Sequence, residues 1–216
     1  MYVPKHFEEQ DPGVLHALIR SHPLGAWVTQ ADGALTVNHI PFLVHSNRGE
    51  YGTLVGHVAR ANPVWKSFSR EMASVVVFQG PQCYISPSWY PSKHEHGKAV
   101  PTWNYAVVHA YGLPCAIEDS GWLIRHVREL SDLHESKQAV PWSVSDAPRD
   151  YIDTMVKAIV GIEIPIATLV GKWKISQNRP LPDKLGTIAG LSGRTDENSQ
   201  EMAALVQKHA SPKNEG

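Results

Sequence analysis

CYISPSWYPSKHEHGKAVPTWNYAVVHAYG, residues Cys83 to Gly112, holds two strand-like runs around a single loop. The runs Cys83–Ser86 and Thr102–Tyr111 are rich in aromatic and β-branched residues, which suit a pleated, half-covered surface. The loop between them is crowded with Trp, Tyr, Pro, Lys and His. Trp89 and Tyr90 lie in the loop, and Trp103, Asn104 and Tyr105 open the second run. Planar rings at a strand–loop junction suit a surface that receives a flat ligand, because they supply area and stacking at little entropic cost. The same rings would also serve as core or interface filler.

Outward from this stretch the chain reads as short strands with tight turns. Asp11-Pro12 starts a helix whose apolar face is Val14, Leu15, Leu18 and Ile19, and His22-Pro23 ends it. Strands are predicted at Gly25–Thr29, Leu35–Val44 and Tyr51–Val58, with turns at Ala31-Asp32-Gly33 and Ser46–Gly49. A short helix opens at Asn62-Pro63. The run Ala73–Gln79 predicts a strand covered on both faces, and Gly80-Pro81 predicts a turn before Gln82–Ser86. Six or so strands with few intervening helices imply an antiparallel barrel rather than a βαβ nucleotide-binding sheet.

The pattern changes near residue 118. Trp122, Leu123, Val127, Leu130 and Leu133 fall at helical spacing behind Asp119 or Ser120 as cap. A second helix is predicted with Ser145 as cap and Tyr151, Ile152, Met155, Val156 and Ile159 as its buried stripe. Gly161–Ile175 returns to strand character. Residues 1–191 thus read as one mainly β domain with appended helices (α+β) and a helical insertion at about 118–160. Residues 192–216 read as a polar, frayed tail carrying a short helix near Asn198–Lys208.

The 216 residues carry a formal net charge of −1, with 42% hydrophobic and 19% charged residues. That balance opposes a broad DNA-binding face, which releases counterions through many Lys and Arg contacts, and it predicts weak or absent direct DNA binding. No apolar run approaches the roughly 18 residues needed to span a bilayer, and MYVPKHFEEQ has no signal-peptide core. Cys83 and Cys115 read as two reduced thiols of a cytoplasmic protein.

No glycine-rich phosphate loop, GxSxG or HExxH is present, so a phosphate would have to be held by side chains or a helix start. Gly56–Trp65, GHVARANPVW, offers such a place: a strand end, Arg60, and a helix start at Asn62-Pro63. Alternatively Asn62 only caps its helix and Arg60 is solvated. In Lys172–Arg179, KWKISQNR, the cations suit a phosphate, and Gln177 or Asn178 suits a heteroaromatic edge; a solvated strand end is the other reading. His94 and His96 form an HxH without further ligands nearby, so no metal site is assigned.

MYVPKHF, GHVARANPVW, YISPSWY, VPTWNYAVVHAYG and KWKISQNR together resemble the PaiB-type family of FMN-binding negative transcriptional regulators, from Met1 to about Leu191. The resemblance implies an FMN-binding split β-barrel, antiparallel, working as a homodimer with FMN in a groove at the dimer interface. It implies a phosphate site at Arg60 and Asn62 with His57 beside them. It places Thr102, Trp103 and Asn104 around the isoalloxazine, with Lys174, Gln177 and Asn178 closing the pocket. Two other activities fit such a barrel: a flavin oxidoreductase using a nicotinamide donor, and a haem-binding protein.

Overall fold

The structure, a computed structural model, describes residues 1–31 and 33–210. The middle residue of the expected Ala31-Asp32-Gly33 turn lies outside them. The strands are β1 (Glu8–Glu9), β2 (Leu24–Ala31), β3 (Ala34–Pro41), β4 (Leu43–His45), β5 (Thr53–Ala59), β6 (Ser74–Ile85), β7 (Thr102–Gly112), β8 (Cys115–Ile117), β9 (Ile159–Pro165) and β10 (Thr168–Lys174). The helices are α1 (Pro12–Ser21), α2 (Val64–Ser67), α3 (Pro91–His96), α4 (Ser120–Glu135), α5 (Arg149–Lys157), α6 (Leu181–Ser192) and α7 (Glu197–Ala210). The fold is mainly antiparallel sheet with several helices, as the sequence predicts.

The chain divides into two compact units. The first comprises residues 1–15, 79–108 and 170–216. In it β1, β10, β7 and the later part of β6 lie in that order, and Glu8 pairs with Lys172. Its core gathers Ile85, Tyr90, Val108, Trp173, Ile175, Leu191, Met202 and Val206. The aromatic loop is anchored here by α6. Gly186 and Gly190 let the helix approach Trp89 so closely that a Cβ at either position would collide with it. Arg194 lies over the Trp89 ring at 4.9 Å, and Ser92 donates its hydroxyl to buried Asp183 at 2.7 Å.

The second unit comprises residues 16–78 and 109–169. The early part of β6 pairs with β2 through Val75–Val77, and β2 pairs with β3 along its length. A separate sheet runs β4-β5-β9-β8. Trp27, Phe42, Leu54, Phe78, Ile162 and Ile164 fill the core. Buried Trp27 donates its indole N–H to Ser74 at 2.9 Å, which satisfies the one polar atom of a large ring. Helix α4 is capped by Asp119, whose carboxylate accepts from the Trp122 amide at 2.7 Å, as expected.

Four local expectations differ from the structure. Gly80-Pro81 is not a turn, and β6 runs through it. Beyond Val77 the paired register with β2 ends, so Pro81, which has no N–H, removes no ladder bond there. Its valine run alternates buried and half-buried positions instead of being covered on both faces. In α5, Tyr151 and Met155 are exposed and Ile159 belongs to β9; Ser143, not Ser145, caps the turn ahead of the helix. Finally, the segment after Leu191 is packed: Ser199, Met202, Ala203 and Val206 of α7 are buried.

Candidate functional site

The end of β10 and the start of β7 meet at a small polar pocket in the first unit. Thr102, Asn104, Lys174, Ser176, Asn178 and Arg179 line a space of about 50 Å³. A water occupies about 30 Å³ of liquid, so the space suits one compact anionic group rather than a ring system. Lys174 Nζ donates to Thr102 Oγ1 at 2.6 Å and to the Trp103 carbonyl at 2.9 Å. An ammonium has three hydrogens, so one donor remains.

Sequence spacing builds this cluster. Lys172 and Lys174 are two apart on a strand and share a face. Lys172 is buried, donates to the Tyr2 carbonyl at 3.0 Å, and sits 5.6 and 5.3 Å from the Tyr2 and Tyr105 rings. Arg179 stacks on Tyr90 at 4.8 Å. Among the described residues none of Lys172, Lys174 and Arg179 has a carboxylate partner. Burial lowers the Lys174 pKa; Tyr105 opposes this, and the charges of Lys172 and then Arg179 lower it further. Two of these cations, Lys174 and Arg179, line the pocket without a carboxylate partner, and an anion there would be favoured.

The backbone at this pocket is strained. Ser176 has φ of 67°, a left-handed conformation that costs a non-glycine residue about 1 kcal/mol or more. It is held by its surroundings: buried Asn104 donates to the Ser176 hydroxyl at 2.9 Å, and the Arg179 amide donates to the Ser176 carbonyl at 3.0 Å. This turn aims Asn178 and Arg179 at the pocket. Gln177 is not available to it, because its side chain accepts from the Ile175 amide and donates to the Trp173 carbonyl.

Of the three residues expected together on β7, two line the pocket. Strand alternation turns Trp103 to the opposite face, where it donates to Gln82 at 3.1 Å and meets Tyr84 edge-on at 6.2 Å. It remains about half exposed, at 48%.

In the second unit, the strand end after β5 is a brace. Arg60 donates through Nε to the Lys157 carbonyl at 2.8 Å, through Nη1 to Glu118 at 2.5 Å, and through Nη2 to the Ile159 carbonyl at 3.2 Å. Asn62 accepts from the Val64 amide and donates to Asn38 at 2.8 Å. Helix α2 is one turn long. These bonds use three of the five Arg60 N–H donors and tie the end of β5 to β9, β3 and the chain around Glu118. Placed in no loop, His94 and His96 lie exposed on α3.

His57 has a partner that the sequence did not reveal. Its Nδ1 lies 3.1 Å from Nε2 of His126 on α4, and Trp122 stacks on His126 at 5.3 Å. His126 is buried, and its Nδ1 has no partner. A buried N–H without an acceptor is rarer than a bare lone pair, so His126 donates through Nε2 and His57 keeps its proton on Nε2. Burial lowers both pKa values, that of His126 to about 4 with further lowering by His57 and His45.

Comparison with known proteins gives this geometry a context. The family described as "Putative FMN-binding domain" matches residues 1–168. The "Protease synthase and sporulation protein PAI 2" of Bacillus subtilis is 30% identical over 96% of this chain and 97% of its own. The FAD and heme binding protein of Mycobacterium smegmatis superposes with a TM-score of 0.58 at 14% identity, covering 77% of this chain and 73% of its own. The flavocytochrome Anf3 of Azotobacter vinelandii gives 0.55 at 15% identity, covering 80% and 72%. These two likenesses show the fold, the split β-barrel expected from the sequence.

Proposed function

Because this chain belongs to the FMN-binding domain family of PaiB-type proteins, with FMN as its cofactor, we propose that the Lys174 pocket receives the flavin phosphate. The observation that carries the reading is the pair of cations, Lys174 and Arg179, that line a pocket at a strained turn without carboxylate partners among the described residues. The pocket fits the group in charge and size: a free ammonium hydrogen, a guanidinium and the Asn178 amide converge on about 50 Å³. Thr102 and Asn104 orient Lys174 and the Ser176 turn. Trp103, half exposed beside Tyr84 in the same unit, offers a flat apolar face and remains a proposed flavin neighbour; His57, in the second unit, offers an Nε2–H donor. Bound FMN supplies electron or hydride transfer, and the chain supplies its binding and orientation.

We further propose a cytoplasmic homodimer acting in negative regulation of gene expression, following the family resemblance, without direct DNA contact. Exposed Leu24, Leu35 and Val37 on the β2–β3 hairpin support pairing of two copies, since single apolar side chains need no cover but a group on one hairpin does. Among the described residues no helix is long and apolar enough to cross a membrane.

The test is a flavin titration of the purified chain followed by gel filtration. Co-elution of the visible flavin band with protein, lost in Lys174→Ala and kept in Arg60→Ala, supports the phosphate assignment. Loss in Arg60→Ala alone, with the fold intact, would return the phosphate to the β5 strand end. Molar mass by light scattering decides the dimer.

A further inference from the structure

The helical insertion holds a cavity that the flavin reading does not use. It has a volume of about 700 Å³ and lies between α4, α5 and the turn ahead of α5. Small-molecule pockets fall in the range of roughly 300–1,000 Å³. Two helical faces form its walls: Gly121, Ile124 and Arg128 of α4, and Arg149, Ile152, Asp153, Val156 and Lys157 of α5. These positions recur three and four residues apart, so each set is one stripe of its helix.

The lining is segregated. Val144 and Val156 are buried, and with half-buried Ile124 and Ile152 they make an apolar floor. Arg128, Arg149 and Lys157 stand exposed around it, against the single carboxylate of Asp153. Among the described residues none of these four side chains is ion-paired. An apolar floor beneath an excess of positive charge matches a ligand with an apolar body and an anionic head.

We propose that this cavity binds a small acyl carboxylate, its chain on Ile124, Val144, Ile152 and Val156 and its carboxylate at Arg128 and Arg149. Arginine pairs with a carboxylate through two parallel hydrogen bonds, which fixes the head while the floor accepts the chain.

Decanoate and its neutral counterpart decanol are titrated by calorimetry into the full, FMN-loaded chain. The expected result is saturable binding of one decanoate per chain, at least tenfold tighter than decanol. Arg128→Gln with Arg149→Gln, both at exposed positions, weakens decanoate at least tenfold and leaves decanol and the flavin spectrum unchanged. Ile152→Trp, which fills the floor, weakens both probes. Equal affinity for the two probes, undiminished decanoate binding in the double variant, or absence of saturable binding would each overturn the proposal.

Discussion

His57 Nδ1 and His126 Nε2 lie 3.1 Å apart between β5 and α4, beneath the stacked ring of Trp122. The bond ties the insertion to the four-stranded sheet through two neutral imidazoles. It also makes the fold sensitive to acid.

The His126 pKa falls from an ordinary 6.5 to about 4 in the fold. Between these values the unfolded chain binds the proton more readily, so stability is complete above pH 6.5 and declines as pH falls toward 4. The loss is on the order of 3 kcal/mol, at about 1.4 kcal/mol per pKa unit. Urea unfolding at pH 7 and pH 4.5 measures it. His126→Gln is expected to flatten the profile in this window, and an unchanged profile would remove His126 as its source.

Lys174→Ala removes a cation from the proposed phosphate site without touching the core. A charge-assisted hydrogen bond contributes about 1.5–3 kcal/mol, which predicts a roughly ten- to hundredfold weaker FMN dissociation constant. Fluorescence titration of flavin reads it directly. Affinity within twofold of the unaltered chain would exclude Lys174 from the site.

Arg60→Ala is expected to act on stability instead. Three hydrogen bonds to the Lys157 and Ile159 carbonyls and to Glu118 disappear at once. The group is partly exposed, so the cost is about 1–2 kcal/mol, near the lower range for such bonds. A lower urea midpoint with near-normal flavin affinity is the expected pair of results.

Gly190→Ala places a methyl group against the Trp89 ring. Overpacking of this kind costs about 1–3 kcal/mol. A fall in thermal midpoint together with a changed near-ultraviolet tryptophan signal is expected, and Gly193→Ala, whose methyl group meets only ordinary contacts at 3.6 and 3.8 Å, serves as the control.

These positions also explain what the sequence made legible. Alternation and turn residues give β2, β5 and β7 much as they stand, because local chemistry decides them, whereas Leu35–Val44 and Gly161–Ile175 each merge two strands and the short β1 and β8 go unread. Helix α6 is hidden for a physical reason: Gly186 and Gly190 look like breakers along the chain, whereas they are small because Trp89 lies against them. Arg60 and Asn62 carry the right chemistry for an anion, but their commitments to Lys157, Glu118, Ile159 and Asn38 come from distant segments. His126 is one histidine on an amphipathic helix, and only folding brings it to His57. The Lys172–Lys174 pair was readable from strand period alone, while Ser176 was not, since nothing local announces its left-handed turn.

The clamp of α6 on the loop after Cys83 has a mechanical consequence. Trp89 is wedged against two glycines and covered by Arg194, while Ser92 is tied to Asp183. From Trp89 to Ser92 the loop therefore has no hinge of its own, and any displacement of this segment would have to carry the α6 helix with it, as a door moves with its frame. Gly97, with φ of 69° and open space around it, is where the loop regains freedom.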